Sequence, residues 1–160
     1  VMISGPEPQR TIFENLLLGQ LQNYNGKVLM VRGLPGKNND ELDLHLINSN
    51  KNLVIKNHLA ASELNKAIIQ SEMVISRSGY TTVMDLIKLE KKAILIPTPG
   101  QTEQEYLATH LMNERVFYTT SQQDFNLPEV LKQVTAFPFA MRSFDMEEYK
   151  KVVQQFVQSL

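Results

Sequence analysis

VISRSGYTTVMDLIKLEKKAILIPTPGQTEQEYLATHL, residues 74–111, contains the same event twice. An apolar run, first MVIS and then AILIP, ends on a polar loop bearing Gly, Thr and Pro, and each loop opens into a segment with helical apolar spacing. Near-continuous apolar runs of this length are what strands covered on both faces look like. A strand, a polar turn and a helix, repeated, is the unit from which a parallel sheet is built.

The same alternation extends outward in both directions. Short apolar, β-rich runs fall at residues 1–4, 28–32, 53–56, 73–76, 93–97 and 116–119. Helical patterns lie between them. QRTIFENLLLGQLQ places Ile12, Phe13, Leu16, Leu17 and Leu21 on one face, SELNKAIIQ opens on Ser62 as its N-cap, and TEQEYLATHLMNE starts near Thr102. LPEVLKQV and DMEEYKKVVQQFVQSL read as two closing helices, the last with an apolar stripe of Tyr149, Val152, Val153, Phe156 and Leu160. The expected fold is therefore α/β: a Rossmann-like parallel sheet of about six strands with helices on both faces, in one domain over residues 1–160. The segment from 34 to 52 carries loop signals around a weak helix or strand.

Bulk properties narrow the function. A net charge of −1 and a pI near 6.3 argue against a nucleic-acid partner. The chain has no cysteine, which removes thiolate and disulfide chemistry and agrees with a cytoplasmic location. No apolar stretch approaches the ~20 residues that span a bilayer. VMISGPEPQR has no basic region ahead of its apolar residues and reads as a strand already under way, which predicts a chain cut from a longer protein at a domain boundary.

In such a sheet ligands bind beyond the carboxyl ends of the strands, where the strand order reverses. For an order 3-2-1-4-5-6 that point lies between SGPEPQR and RSGYTT, with PTPGQTEQ beside them. In RSGYTT, Gly79 is expected to make a tight turn, and the helix behind it presents unpaired N–H groups and a positive dipole end suited to phosphate. Ser78, Thr81 and Thr82 offer hydroxyls, and Asp85, one turn in, can accept from ribose hydroxyls. Thr82-x-x-Asp85 equally fits a capping box, and Arg77 fits either a ligand phosphate or a neighbouring helix end. Gln101, Gln104 and Glu105 gather amide and carboxylate groups suited to sugar hydroxyls, although Thr102-x-x-Glu105 has capping-box spacing too. Gly5 marks the first loop, and Arg10 behind it is read as slightly favouring solvent over ligand.

His45, His58 and His110 lie far apart without companion ligands, so no metal site is expected. His58 follows the third run and precedes a helix, where it can line a base. G-x-G-x-x-G, a Walker P-loop and G-x-S-x-G are all absent from the sequence.

At these loops the sequence resembles the C-terminal domain of GT-B glycosyltransferases of family 28, which includes enzymes of cell-envelope polysaccharide synthesis. The family pattern is Arg-Ser/Ala-Gly-Ala-x-Thr with an acidic residue three after the Thr, then a Pro-bearing strand end and a Gln-Gln pair. Here these read RSGYTTVMD and IPTPGQTEQE, in that order. SGPEPQR falls where the family has Gly-Gly-Ser-x-Gly-x-Arg, with Pro6 and Pro8 as departures.

The resemblance implies a UDP-sugar donor, with UDP-GlcNAc as one candidate. It lays Arg77, Ser78, Gly79, Tyr80, Thr81 and Thr82 against the diphosphate and Asp85, in place of the family's Glu, on the ribose. Gln101, Gln104 and Glu105 fall to the sugar, Glu105 replacing the second Gln, and His58, Leu59, Ala60 and Ala61 to the base. Gly5 and Arg10 belong to a further phosphate or acceptor loop. It implies no cofactor beyond this substrate and no metal. The catalytic base and the acceptor contacts are expected from an N-terminal domain that this chain lacks, so the isolated domain should bind donor without transferring sugar. A lipid-linked acceptor and a peripheral position on the inner face of a membrane belong to the same expectation. Two rival readings remain: a UDP-sugar epimerase of the same architecture, and a non-catalytic nucleotide-sugar-binding or protein-interaction module.

Overall fold

The computed structural model describes residues 1–37 and 50–140. His45, most of the segment from 34 to 52 and the closing apolar stripe from Tyr149 to Leu160 lie outside the described residues. The elements are α1 (Gln9–Leu21), β1 (Val28–Val31), β2 (Leu53–Lys56), α2 (Ala61–Gln70), β3 (Val74–Ser76), α3 (Tyr80–Lys88), β4 (Ala93–Leu95), α4 (Thr102–Asn113), β5 (Tyr118–Thr119) and α5 (Leu127–Ala136). All strand pairs are parallel: β1 with β2 in one group, and β3 with β4 and β4 with β5 in another.

The expectation of about six strands is corrected to five, in two small sheets, among the described residues. The run at residues 1–4 does not form a strand of its own. Met2 instead makes single parallel bridges to Val31 on one side and Ser76 on the other. Its amide donates to the Ile75 carbonyl at 2.8 Å, and the Ile3 amide to the Val31 carbonyl at 2.8 Å. Too few residues lie in register before Gly5 turns the chain, at φ +111°, for a longer ladder. The spatial order is therefore β2, β1, Met2, β3, β4, β5, and every strand ends on the same edge.

Alternation along the strands sorts side chains to two cores. Ile75, Ile94 and Ile96 face α1 and α5, where Phe13, Leu17, Leu21, Leu127, Val130 and Val134 complete one cluster. Val74, Ala93 and Leu95 face the other way, toward Ile68 of α2, Val83 and Leu86 of α3 and Leu111 of α4. Helices thus cover both faces.

The expected buried face of α1 is shifted. Ile12 is 47% exposed and Leu16 only half-buried, whereas the buried set is Arg10, Phe13, Glu14, Leu17, Leu18 and Leu21. Positions 10, 13, 14, 17 and 21 form a regular helical stripe. Two of them are charged, and they reach the interior paired: Glu14 bonds both Arg10 and a third group, Arg32.

Candidate functional site

Parallel strands deliver their following loops to one edge, so the polar loops read from the sequence are neighbours there. The loop after β3 is the most revealing. α3 begins at Tyr80 with Gly79 as N-cap, and no side chain caps it. Thr82 is the third residue of the helix, so Thr82-x-x-Asp85 is not a capping box, and the first N–H groups of α3 keep no side-chain acceptor. Tyr80, Thr81 and Asp85 are exposed and Thr82 is half-buried.

Gly79 departs from its expected role. Its φ of −67° and ψ of 141° are ordinary extended values, so no tight left-handed turn requires a glycine. A Cβ built there meets nothing within 4 Å. What the missing side chain leaves is open space at the N-cap of α3.

Ser78 is fully buried, and its hydroxyl donates to the Gln104 carbonyl at 2.8 Å. This bond ties the β3 loop to the first turn of α4. The loop after β4 is braced by the very side chains proposed from sequence for a sugar. The Thr98 amide donates to Gln104 Oε1 at 3.0 Å, the Gly100 amide to Glu105 Oε1 at 2.9 Å, and Gln104 Nε2 to Gln101 Oε1. α4 takes Gln101 rather than Thr102 as N-cap, with no side-chain cap bond of its own, so the Thr102-x-x-Glu105 box is absent as well. The helix after β2 starts at Ala61 behind Ala60, one residue ahead of the expected Ser62 cap, and Glu63 accepts from the Ala60 amide at 3.1 Å.

Arg77 lies with these loops but turns inward. Only 1% of it is exposed. Nη1 donates to the carbonyls of Ile96 and Pro97 at 3.2 and 3.0 Å. Nη2 donates to the Gln9 carbonyl at 3.1 Å and to Gln122 Oε1 at 2.6 Å. The guanidinium also stacks on Phe13, 4.0 Å from the ring centroid. Desolvation lowers its pKa from the ordinary arginine range to about 10, which still leaves it charged at neutral pH. The expectation that Arg77 faces a ligand phosphate does not match this geometry, because both of its terminal nitrogens are committed to protein oxygens.

The first loop corrects another expectation. Arg10 is buried, not solvent-facing. Its Nη2 pairs with Glu14 Oε2 at 2.5 Å and its Nε donates to the Arg32 carbonyl at 3.1 Å. Arg32 Nε meets the other Glu14 oxygen at 2.5 Å, and its Nη1 reaches Asn57 Oδ1 at 2.8 Å. Glu14, Arg32 and Asn57 were not singled out from sequence. The Arg10-x-x-x-Glu14 spacing on the apolar stripe of α1 was the available signal. Gly5 sits close to the β4 loop, its Cβ direction 3.7 Å from Thr98 Oγ1.

His58, Leu59, Ala60 and Ala61 follow β2, three strand spacings from β3, or roughly 14 Å. His58 Nδ1 lies 3.2 Å from the Lys37 carbonyl; since a carbonyl only accepts, Nδ1 carries the hydrogen in this bond. The structure thus joins residues 77–79 with 98–105, α1 and Gln122, and sets 58–61 apart along the same edge. No described helix is long and apolar enough to cross a membrane. A cavity of about 540 Å³ lies at the opposite edge, between the amino ends of β1 and β3, and none of the loop residues named above lines it.

The UDP-N-acetylglucosamine–N-acetylmuramyl-(pentapeptide) pyrophosphoryl-undecaprenol N-acetylglucosamine transferase of Natranaerobius thermophilus is 32% identical over 84 residues, covering 51% of this chain and 23% of that protein. The enzyme of the same name from Rhodopseudomonas palustris is 31% identical over 77 residues, 47% of this chain and 21% of that protein. The matched segments thus make up less than a quarter of these relatives. In three dimensions the chain resembles the glycosyltransferase SnogD from Streptomyces nogalater, with a TM-score of 0.54 at 12% identity over 88% of this chain and 39% of that one, a likeness of fold. The glycosyltransferase family 28 C-terminal domain matches residues 10–159, and this chain belongs to that family.

Proposed function

We propose that this chain is the donor-binding domain of a glycosyltransferase that takes a UDP-sugar and passes its hexosyl group to an acceptor hydroxyl. The observation that carries the reading is the N-terminus of α3, free of any side-chain cap and open above Gly79, within the motif RSGYTT. Such a terminus offers directed N–H donors and a partial positive charge to a diphosphate. The hydroxyls of Thr81 and Thr82 add donors at the same place, and Asp85 holds the ribose. Gln101, Gln104 and Glu105 form a braced rim for the sugar, and the segment from His58 to Ala61 receives the base.

The chemistry follows from that placement. Departure of the nucleoside diphosphate builds negative charge on its β-phosphate, and the helix terminus stabilises this charge without rearrangement. The attacking hydroxyl is the acceptor's own, and the base that deprotonates it and the contacts that hold the acceptor belong to a second, N-terminal domain. After the names of the two relatives, UDP-N-acetylglucosamine is the first donor to test and a lipid-linked hydroxyl the first acceptor, with the cytoplasmic face of a membrane as the expected site of the full-length enzyme.

Calorimetric titration of the chain with UDP, UDP-N-acetylglucosamine, GDP and ADP is the direct test. UDP should bind more tightly than GDP or ADP, and the sugar should add affinity. Equal binding of all four, or of none, would refute the donor-site reading. Asp85→Ala should weaken UDP at least tenfold, since a hydrogen bond to a charged group contributes about 1.5–3 kcal/mol; an unchanged affinity removes the ribose role. Gly79→Val should leave the melting temperature nearly unaltered, because its backbone angles suit a β-branched residue. The same substitution should abolish UDP binding by filling the space over α3. Retained binding would mean that the diphosphate does not sit there.

A further inference from the structure

We propose that Arg77 is a positioning residue that holds four segments of the site edge in one arrangement, so that the α3 N-terminus and the α4 rim face the ligand together. The grounds are geometric. One guanidinium bonds the end of β4 at Ile96 and Pro97, the first turn of α1 at Gln9, and the β5–α5 loop at Gln122. The Phe13 ring lies beneath it, its centroid 4.0 Å from the guanidinium carbon. Its backbone leads directly into Ser78, whose hydroxyl grips α4 at the Gln104 carbonyl.

No regular ladder joins α1 or the β5–α5 loop to the end of β3. The sheet pairs β3, β4 and β5 only along their strands, and it leaves the loops beyond to find other partners. Carbonyls at strand ends lose their ladder partners where the sheet stops, and a planar five-donor group is suited to collect several of them at once. A lysine carries the charge but not the fork, so it reaches fewer of these acceptors. Both terminal nitrogens of the fork are bonded to protein oxygens in this arrangement. What the loops hold rests on the donor-site reading; that Arg77 holds the loops rests on the geometry alone.

Amide hydrogen exchange on the full 160-residue chain separates the two. The reporters are amides bonded within the loops: Val83 to the Gly79 carbonyl, Gln101 to the Thr98 carbonyl, Thr98 to Gln104 and Gly100 to Glu105. Val74 and Leu53, at the opposite edge, bond to the Lys92 and Asn50 carbonyls and serve as controls. Arg77→Met and Arg77→Lys should both speed exchange at the loop amides at least tenfold while the controls keep their protection. UDP affinity should fall at least tenfold in both. Millimolar methylguanidinium added to Arg77→Ala should restore part of the loop protection.

A uniform loss of protection at loops and controls would show a stability role only and overturn the proposal, as would unaltered loop amides. Should the Arg77 variants fail to fold, Gln122→Ala removes a single bond of the hub and should give a smaller, still local, increase; its absence overturns the proposal too. Wild-type chain that ignores UDP would refute the donor reading, while the exchange pattern would still decide the role of Arg77.

Discussion

Glu14→Ala should be the most damaging single substitution in this domain, costing about 3–5 kcal/mol, the usual loss when one partner of a buried ion pair is removed. Glu14 is 2% exposed, and its two oxygens hold two arginines that are themselves buried, each at 2.5 Å. Without the carboxylate, two guanidinium groups of like charge remain close together beneath the first loop. Glu14→Gln keeps one acceptor oxygen and the shape but loses the charge, so it should fall between wild type and alanine. Chemical denaturation with a shared m-value measures the series. An alanine variant within 1 kcal/mol of wild type would show that the arginines find water or other acceptors at little cost. Because Arg10 also bonds the Arg32 carbonyl, the damage should centre on the junction of α1 with the end of β1, where the first loop is anchored.

Gly33→Ala should be next, at about 2–4 kcal/mol. The residue sits at φ +69°, and an added Cβ would come within 2.4 Å of the Ile3 carbonyl oxygen. A left-handed conformation alone costs a non-glycine residue on the order of 1–3 kcal/mol, and the contact is with backbone, which cannot rotate away. The segment it would displace includes Met2 and Ile3, which join the two small sheets through bonds to Val31 and Ile75. The expected result is a lowered melting temperature together with faster exchange at the Met2 and Ile3 amides. A variant as stable as wild type would mean that this joint carries little of the fold's stability.

Gly79 and Gly33 together show which part of the site could be read from residues in order. RSGYTT announced a helix N-terminus open to a ligand, and the structure places α3 directly after Gly79. The tight turn assigned to that glycine is absent, while the glycine whose backbone and close contact both exclude a side chain is Gly33, which drew no notice in the sequence. Its necessity comes from a carbonyl thirty residues earlier in the chain, and no local pattern encodes that. Arg77, Arg10 and Glu14 follow the same logic. Each was legible as a charged residue at a set spacing, but its direction depended on partner atoms on other elements. The capping boxes read at Thr82 and Thr102 failed for a related reason: both helices start earlier than those hydroxyls could cap, at Tyr80 and at Thr102 itself.

The sequence by itself determined the alternation of strands and helices, the parallel arrangement, the coverage of both faces and the edge on which the polar loops gather. These follow from hydrophobic period and turn chemistry, which act over a few residues and are written in the chain. Only the tertiary structure decided that the first apolar run bridges two small sheets instead of forming a sixth strand, and that α1 buries a charged pair while Ile12 faces water. The inward turn of Arg77 belongs with them. A polar side chain goes wherever its donors and acceptors are met, and those partners are brought close only once distant segments have packed.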